Sequence, residues 1–163
     1  MKKMIVLAAL LIMAMSARAE YEQVNMTVFG MDCAPCAHAI HVSMTAIPGV
    51  GTVNVDLNSG LVSIALNSGN SASMKEFNAA VEKNGFTHKD AKIVARGKLT
   101  GTAAAPVFEV SGTGDRYQLE AGGAAVDVTS LLGKTVTVKG TLPQAAKGKT
   151  SARLNYASIE EAR

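Results

Sequence analysis

The chain of 163 residues holds two cysteines, and they frame the short run Cys33-Ala34-Pro35-Cys36. A thiolate is a soft ligand and a good nucleophile, so a pair at this spacing has two chemistries open to it. It can hold a soft ion such as Cu(I) or Hg(II), both of which accept two-coordinate binding to sulfur. It can also cycle between dithiol and disulfide. A closed structural zinc site takes four protein ligands, and with 2 Cys in all a four-sulfur zinc knuckle within one molecule is excluded.

The neighbouring residues with ligand or acid–base chemistry are Met31, Asp32, His38, His41 and His88. His38 and His41 invite a metal-ligand reading, but on a helix of 3.6 residues per turn they fall roughly 200° and 140° around the axis from Cys36, away from an ion held by the sulfurs. His88 follows Phe86 in an extended stretch and is expected to be exposed. The metal ligands expected from the sequence are therefore Cys33 and Cys36.

Several elements must position this loop. Val24, Met26 and Val28 alternate with Gln23, Asn25 and Thr27, the period of a half-buried strand. After the loop, Ala37, Ile40, Met44 and Ile47 recur at helical spacing and place Cys36 in the first turn. There, unpaired N–H groups and the helix dipole favour a thiolate. Pro35 is tolerated because its missing N–H would have no helical partner. Pro48-Gly49 ends the helix. Val53, Val55 and Leu57, the turn Asn58-Ser59-Gly60, and Val62, Ile64 and Leu66 predict a hairpin. Ser73 and Glu76 have capping-box spacing ahead of Met74, Phe77 and Val81, and Gly85 offers a C-cap. A last extended stretch covers 86–94. The order β-α-β-β-α-β is that of a ferredoxin-like fold with two helices on one face of a four-stranded sheet.

On this loop and this element order, residues 24–94 resemble the heavy-metal-associated domain family, known from copper chaperones, the amino-terminal modules of metal-pumping ATPases and periplasmic mercury-binding proteins. The family's Gly-Met-x-Cys-x-x-Cys loop is matched by Gly30-Met31-Asp32-Cys33-Ala34-Pro35-Cys36, and Pro48-Gly49-Val50 and Gly85-Phe86 are also similar. The resemblance implies that Met31 points inward and props the loop. It implies that Asp32 either joins the coordination sphere, as in modules that handle divalent ions such as Zn(II) or Cd(II), or is a solvated loop residue. It places Phe86 where mercury-binding and ATPase modules carry an aromatic and cytosolic copper chaperones a lysine. It further implies capture and ligand exchange with a metal transporter or another metal carrier protein, and no enzymatic activity.

Beyond Ala95 the pattern changes to short β segments with Gly-rich turns, at 98–102, 107–111, 116–121, 134–142 and 153–159. Five strands, with Ser130-Leu131-Leu132-Gly133 before the fourth, suggest a small closed barrel of the oligonucleotide/oligosaccharide-binding type. The fold class expected is thus α+β: a ferredoxin-like βαββαβ domain at 20–94 and an all-β OB-like barrel at 95–163. Nucleic acid is not an expected partner, because stacking needs exposed aromatics among basic residues. This half has only Phe108, Tyr117 and Tyr156, and its nine basic against six acidic residues are ordinary for a solvated surface. An interaction or spacer role is the expectation.

The first 19 residues read as a signal peptide: basic Lys2-Lys3, an apolar run from Met4, and Ala17-Arg18-Ala19 where a peptidase cuts. Spanning a bilayer takes about 20 apolar residues and this run is shorter. The mature chain is therefore expected to start at Glu20, to be periplasmic or secreted, and to have no stable membrane insertion. Loss of Lys2, Lys3 and Arg18 brings the 16 Lys+Arg level with the 13 Asp+Glu, so the basic balance belongs to the leader. Against the redox alternative stand the absence of Trp, the hairpin directly after the first helix, and the lack of a well-placed proline for a cis turn facing the site.

Overall fold

The computed structural model describes residues 20–123 and 126–163. The expected leader, 1–19, lies outside the described residues. Strand β1 (Glu20–Phe29) leads into the Cys loop and helix α1 (Ala34–Thr45). Strands β2 (Val50–Asp56) and β3 (Leu61–Leu66), helix α2 (Met74–Lys83) and strand β4 (Thr87–Gly101) follow. The sheet runs β2-β3-β1-β4 with every pairing antiparallel. This is the ferredoxin-like βαββαβ fold.

The elements form where local chemistry asks for them. Val24, Met26 and Val28 of β1, Val62 and Ile64 of β3, and Ala91 and Ile93 of β4 are buried, and the helices bury Ile40 and Met44 from α1 and Met74, Phe77 and Val81 from α2. Each large apolar side chain removed from water here stabilises the fold by about 1.5–3 kcal/mol. Helix α2 starts with the expected capping box, in which the Ser73 side chain accepts from Glu76 N and the Glu76 carboxylate accepts from Ser73 N. It ends in a Schellman motif: Gly85 at φ 83° donates to the Glu82 carbonyl, and Phe86 N donates to the Val81 carbonyl. That closure fixes where Phe86 stands. Among the described residues no helix is long and apolar enough to cross a membrane.

Strand β4 does not stop at the expected division between 94 and 95. It pairs with β1 from Thr87 to Arg96 and with β7 (Thr135–Leu142) from Ala91 to Lys98. It then pairs with β5 (Pro106–Val110) from Lys98 to Gly101. What reads in sequence as two strands is one strand shared by both halves. A Cβ at Gly97 would lie 2.3 Å from the Glu109 carbonyl oxygen, so only glycine lets β4 and β5 approach this closely. Strand β6 (Asp115–Ala121) pairs with β5 and, in parallel, with β8 (Arg153–Glu161), and β8 pairs with β7. The pairings therefore lead from β4 through β5, β6, β8 and β7 back to β4. Phe108, Tyr117 and Tyr156 are all buried.

Buried polar contacts join the halves. The Tyr21 hydroxyl donates to Asp115 Oδ2 at 2.7 Å, and Tyr117 Oη lies 2.5 Å from Tyr21 Oη. A phenol has one proton, so with that of Tyr21 given to Asp115, Tyr117 donates to Tyr21. The same carboxylate oxygen accepts from Met74 N at 2.9 Å, at the start of α2. Within the first half, Asn70 Nδ2 donates to the Tyr21 carbonyl, and Glu20 accepts from Gly69 N.

Candidate metal centre

Three residues bring ligand atoms together on the loop between β1 and α1. One carboxylate oxygen of Asp32 and the sulfurs of Cys33 and Cys36 all lie within 4.8 Å of one another. Asp32 is exposed and both cysteines are half-buried. The cysteines are joined as a disulfide with their Cα atoms 5.1 Å apart. Its two-electron reduction would release two thiols on the rim of the domain.

The helix start orients the sulfurs. Cys33 is the N-cap of α1 in extended conformation, and its Sγ accepts from Cys36 N at 3.2 Å. The first intrahelical bond, Ala37 N to the Cys33 carbonyl, follows at 3.0 Å. An N–H pointing at sulfur at the positive end of a helix favours the thiolate over the thiol. The sequence reading assigns that benefit to Cys36 in the first turn, whereas the direct N–H donation falls on Cys33. Pro35 stands in the first turn, as expected.

Met31 is buried and packs into the core beneath the loop. A Cβ on Gly30 would sit 3.7 Å from Phe86 Cδ1, so the ring placed by the α2 Schellman motif stands against the start of the loop. Gly30 itself has φ 89°, which suits glycine in the turn out of β1. His38 and His41 are exposed on α1 and stand outside the ligand cluster.

His88 departs from expectation: it is buried, not exposed, with Nε2 3.1 Å from Glu82 Oε1. The cause is an irregularity in the β1–β4 ladder between Met26↔Ala91 and Val28↔His88. An extra residue in one strand reverses which side faces inward. Glu82 was not singled out by the sequence. It also accepts from Gly148 N at 2.9 and 3.1 Å, and this bond, ahead of the hydrogen bond with His88 and the nearby charge of Lys147, holds its carboxyl below the usual range. The only advance signal was a glutamate one turn before the C-cap glycine.

Residues 25–87 match the family model described as "Heavy-metal-associated domain". The copper chaperone CopZ of Bacillus subtilis (strain 168) is 32% identical over 65 residues, a stretch covering 40% of this chain and 93% of that protein. The fold and the loop thus define a heavy-metal-associated module, and this chain belongs to that family. Among solved structures, the amino-terminal domain of a potential copper-translocating P-type ATPase from Bacillus subtilis, in its Cu(I)-loaded state, is 29% identical. That alignment covers 42% of this chain and 84% of that one, with a TM-score of 0.38. Oxidized MerP from Ralstonia metallidurans CH34 is 19% identical, with 42% and 93% covered and a TM-score of 0.38.

Proposed function

We propose that this chain is an exported carrier of a soft metal ion, which it takes as cargo between the thiolates of Cys33 and Cys36 and hands on by ligand exchange. The observation that carries the reading is the arrangement of the two sulfurs at the start of α1, one of them accepting a backbone N–H, beside the Asp32 carboxylate. Two thiolates suit Cu(I) or Hg(II), and the copper chaperone relative supports copper as the first candidate. With Asp32 as a third, hard ligand the site would also suit Zn(II) or Cd(II).

Exchange requires a site a partner can reach. An incoming thiolate from a metal transporter or another carrier bonds to the ion, the bond to Cys33 or Cys36 breaks, and the departing sulfur is held as thiolate by the α1 N-terminus. No electrons are transferred and no covalent bond of a substrate is broken, so the role is carriage and not catalysis. Half-burial of both cysteines supports this mechanism, since a closed site would refuse the incoming ligand. The basic and apolar leader at 1–19 supports export to the periplasm or the medium.

The β4-β5-β6-β8-β7 circuit, with its parallel β6–β8 pairing, supports reading the second half as an OB-like barrel, a domain from Ala95 that shares β4 with the first. Its aromatic rings are buried, which favours a spacer or protein-contact role over stacking on nucleic-acid bases.

The Cys33–Cys36 disulfide favours one second reading, a thiol–disulfide redox protein in an oxidising compartment. Native mass spectrometry of the reduced chain with Cu(I), Hg(II), Zn(II) and Cd(II) separates the two. The carrier reading expects one soft ion per chain. A reduced protein that takes no ion but exchanges disulfides with a small thiol would replace it with the redox reading.

A further inference from the structure

Strand β2 is the one strand, among the described residues, with a neighbour on one side only. Strands β4, β5, β6, β8 and β7 close on themselves, and β1 and β3 lie inside the sheet. The outer side of β2 therefore presents unpaired backbone N–H and C=O groups, which bond readily to a further strand. Free edges are ordinarily blunted by lysine, by proline or by a bulge. Residues 52–56 have none of the three. They pair in unbroken register with 61–65, and the irregularity of this ladder lies outside them, between Val50 and Thr52. The core is also unfinished here: Val53, Val55 and, just beyond the strand, Leu57 pack against it yet are only half-buried. Thr52, Asn54 and Asp56, on the other face, are exposed.

The strand complements itself. In an antiparallel pair whose two-fold axis passes through Asn54, all five regular residues find partners. Val53 of one copy lies opposite Val55 of the other, so the half-buried valines cover each other. Thr52 lies opposite Asp56, a hydroxyl donor facing a carboxylate that Ser59 Oγ and Asn58 N already hold in place at the strand end. The two Asn54 amides meet at the axis, where each can donate to the other. Leu57 falls opposite Gly51, which has no side chain to obstruct it. Parallel pairing in register would instead bring the two Asp56 carboxylates together, which destabilises a strand pair. A strand from an unrelated protein would need to bring this alternation and this hydroxyl by chance, whereas a second copy brings both by symmetry.

We propose that the free edge of β2 is the interface of a homodimer, in which β2 of a second copy adds antiparallel to it about Asn54 and continues the sheet from one copy into the other. Leu61 of β3 pairs with Asp56 of β2 on one side and with Thr27 of β1, close to the Cys loop, on the other. The Asp56 end of β2 is therefore the end nearest the metal centre. Antiparallel pairing sends the two Asp56 ends apart, so the two Cys loops lie at opposite ends of the joined sheet, and both stay open. The interface uses no metal and no thiol.

Sedimentation velocity of chelator-treated chain with its Cys33–Cys36 disulfide intact, from micromolar to millimolar concentration, is expected to show a monomer–dimer equilibrium. Asn54→Lys sets two ammonium groups face to face at the axis and is expected to raise the dissociation constant about tenfold or more. Mixed with Asn54→Asp it should recover the wild-type value, while Ala79→Lys, on the exposed side of α2, leaves it unchanged. A cross-link reads the register. In chain carrying Cys33→Ser and Cys36→Ser, Asn54→Cys is expected to form a disulfide-linked dimer on mild oxidation, and Thr52→Cys is not, because only directly opposed residues bring their Cα atoms to about 4.5–5.5 Å. A chain that stays monomeric at millimolar concentration overturns the proposal. So does a dimer indifferent to Asn54→Lys, or one that Thr52→Cys links and Asn54→Cys does not.

Discussion

Tyr21 and Asp115 stand 94 positions apart in sequence, yet the phenol donates to the carboxylate at 2.7 Å in a buried setting that also takes in Tyr117 and the first N–H of α2. The start of β1, the start of α2 and the start of β6 are thereby tied at one point. Tyr21→Phe removes a hydrogen bond to a charged group and should lower stability by about 1–3 kcal/mol. Urea unfolding followed by circular dichroism measures this. A loss confined to one half, seen as two separate transitions, would contradict the tie.

Alkaline pH should act on the same cluster. Burial, with Tyr117 and Asp115 adding to it, raises Tyr21 well above the usual tyrosine range, and burial with Asp115 also raises Tyr117. The unfolded chain ionises Tyr21 and Tyr117 at about pH 10 while the folded one keeps both protonated, so above that pH the unfolded state binds fewer protons and stability falls as pH rises. Below it the contribution is fully present. Thermal unfolding across the alkaline range should show this slope, and Tyr117→Phe should flatten it. An unchanged slope in Tyr117→Phe would show that other groups govern alkaline unfolding.

Glu82 predicts the opposite acid behaviour. Its folded pKa is depressed, chiefly by the Gly148 N–H, so its contribution is present above the ordinary glutamate range and is lost as pH falls through the folded value. Glu82→Gln should loosen the segment around Gly148 and speed exchange of the Gly148 amide in hydrogen-exchange mass spectrometry, with Cu(I) affinity retained. Equal protection of that amide in wild type and Glu82→Gln would remove Glu82 as the clasp.

The shared strand decides where the chain can be cut. A fragment 20–101 keeps all of β4 and should fold and bind Cu(I) with full-length affinity. A fragment 20–94 loses Ala95 and Arg96, the ladder partners of Tyr21 and Glu20, and should melt lower. If 20–101 gives no cooperative melting, the ferredoxin-like half is not a domain in its own right.

Much of the site was legible because its signals are local. The Gly30-to-Cys36 motif, the Val24-Met26-Val28 alternation and the Ser73/Glu76 capping box each specify an element within a few residues, and the structure has them where expected. What sequence missed depends on pairing at long range. Tyr21 lies upstream of the expected strand, and nothing near it names Asp115. His88 is turned inward by a ladder irregularity opposite β1. The change of pattern after Val94 reads as a break between domains, but β4 continues through it, and the missing Cβ of Gly97 serves the close passage of Glu109.

Asp32 sets which ions the loop prefers. A hard oxygen completes a site for Zn(II) or Cd(II) more than for two-coordinate Cu(I), and one Asp32 oxygen is within 4.8 Å of both sulfurs. Asp32→Ser should therefore weaken the divalent ions selectively in competition titrations. Equal weakening of Cu(I) would show that the carboxylate acts through charge alone.

The central claim is that Cys33 and Cys36 form one metal site, and Cu(I) competition titration of the reduced chain beside Cys33→Ser and Cys36→Ser tests it most directly. Each sulfur supplies one of two soft ligands, so either substitution should nearly abolish tight binding, while His38→Ala and His41→Ala bind as wild type does. Wild-type affinity in Cys36→Ser would contradict the account.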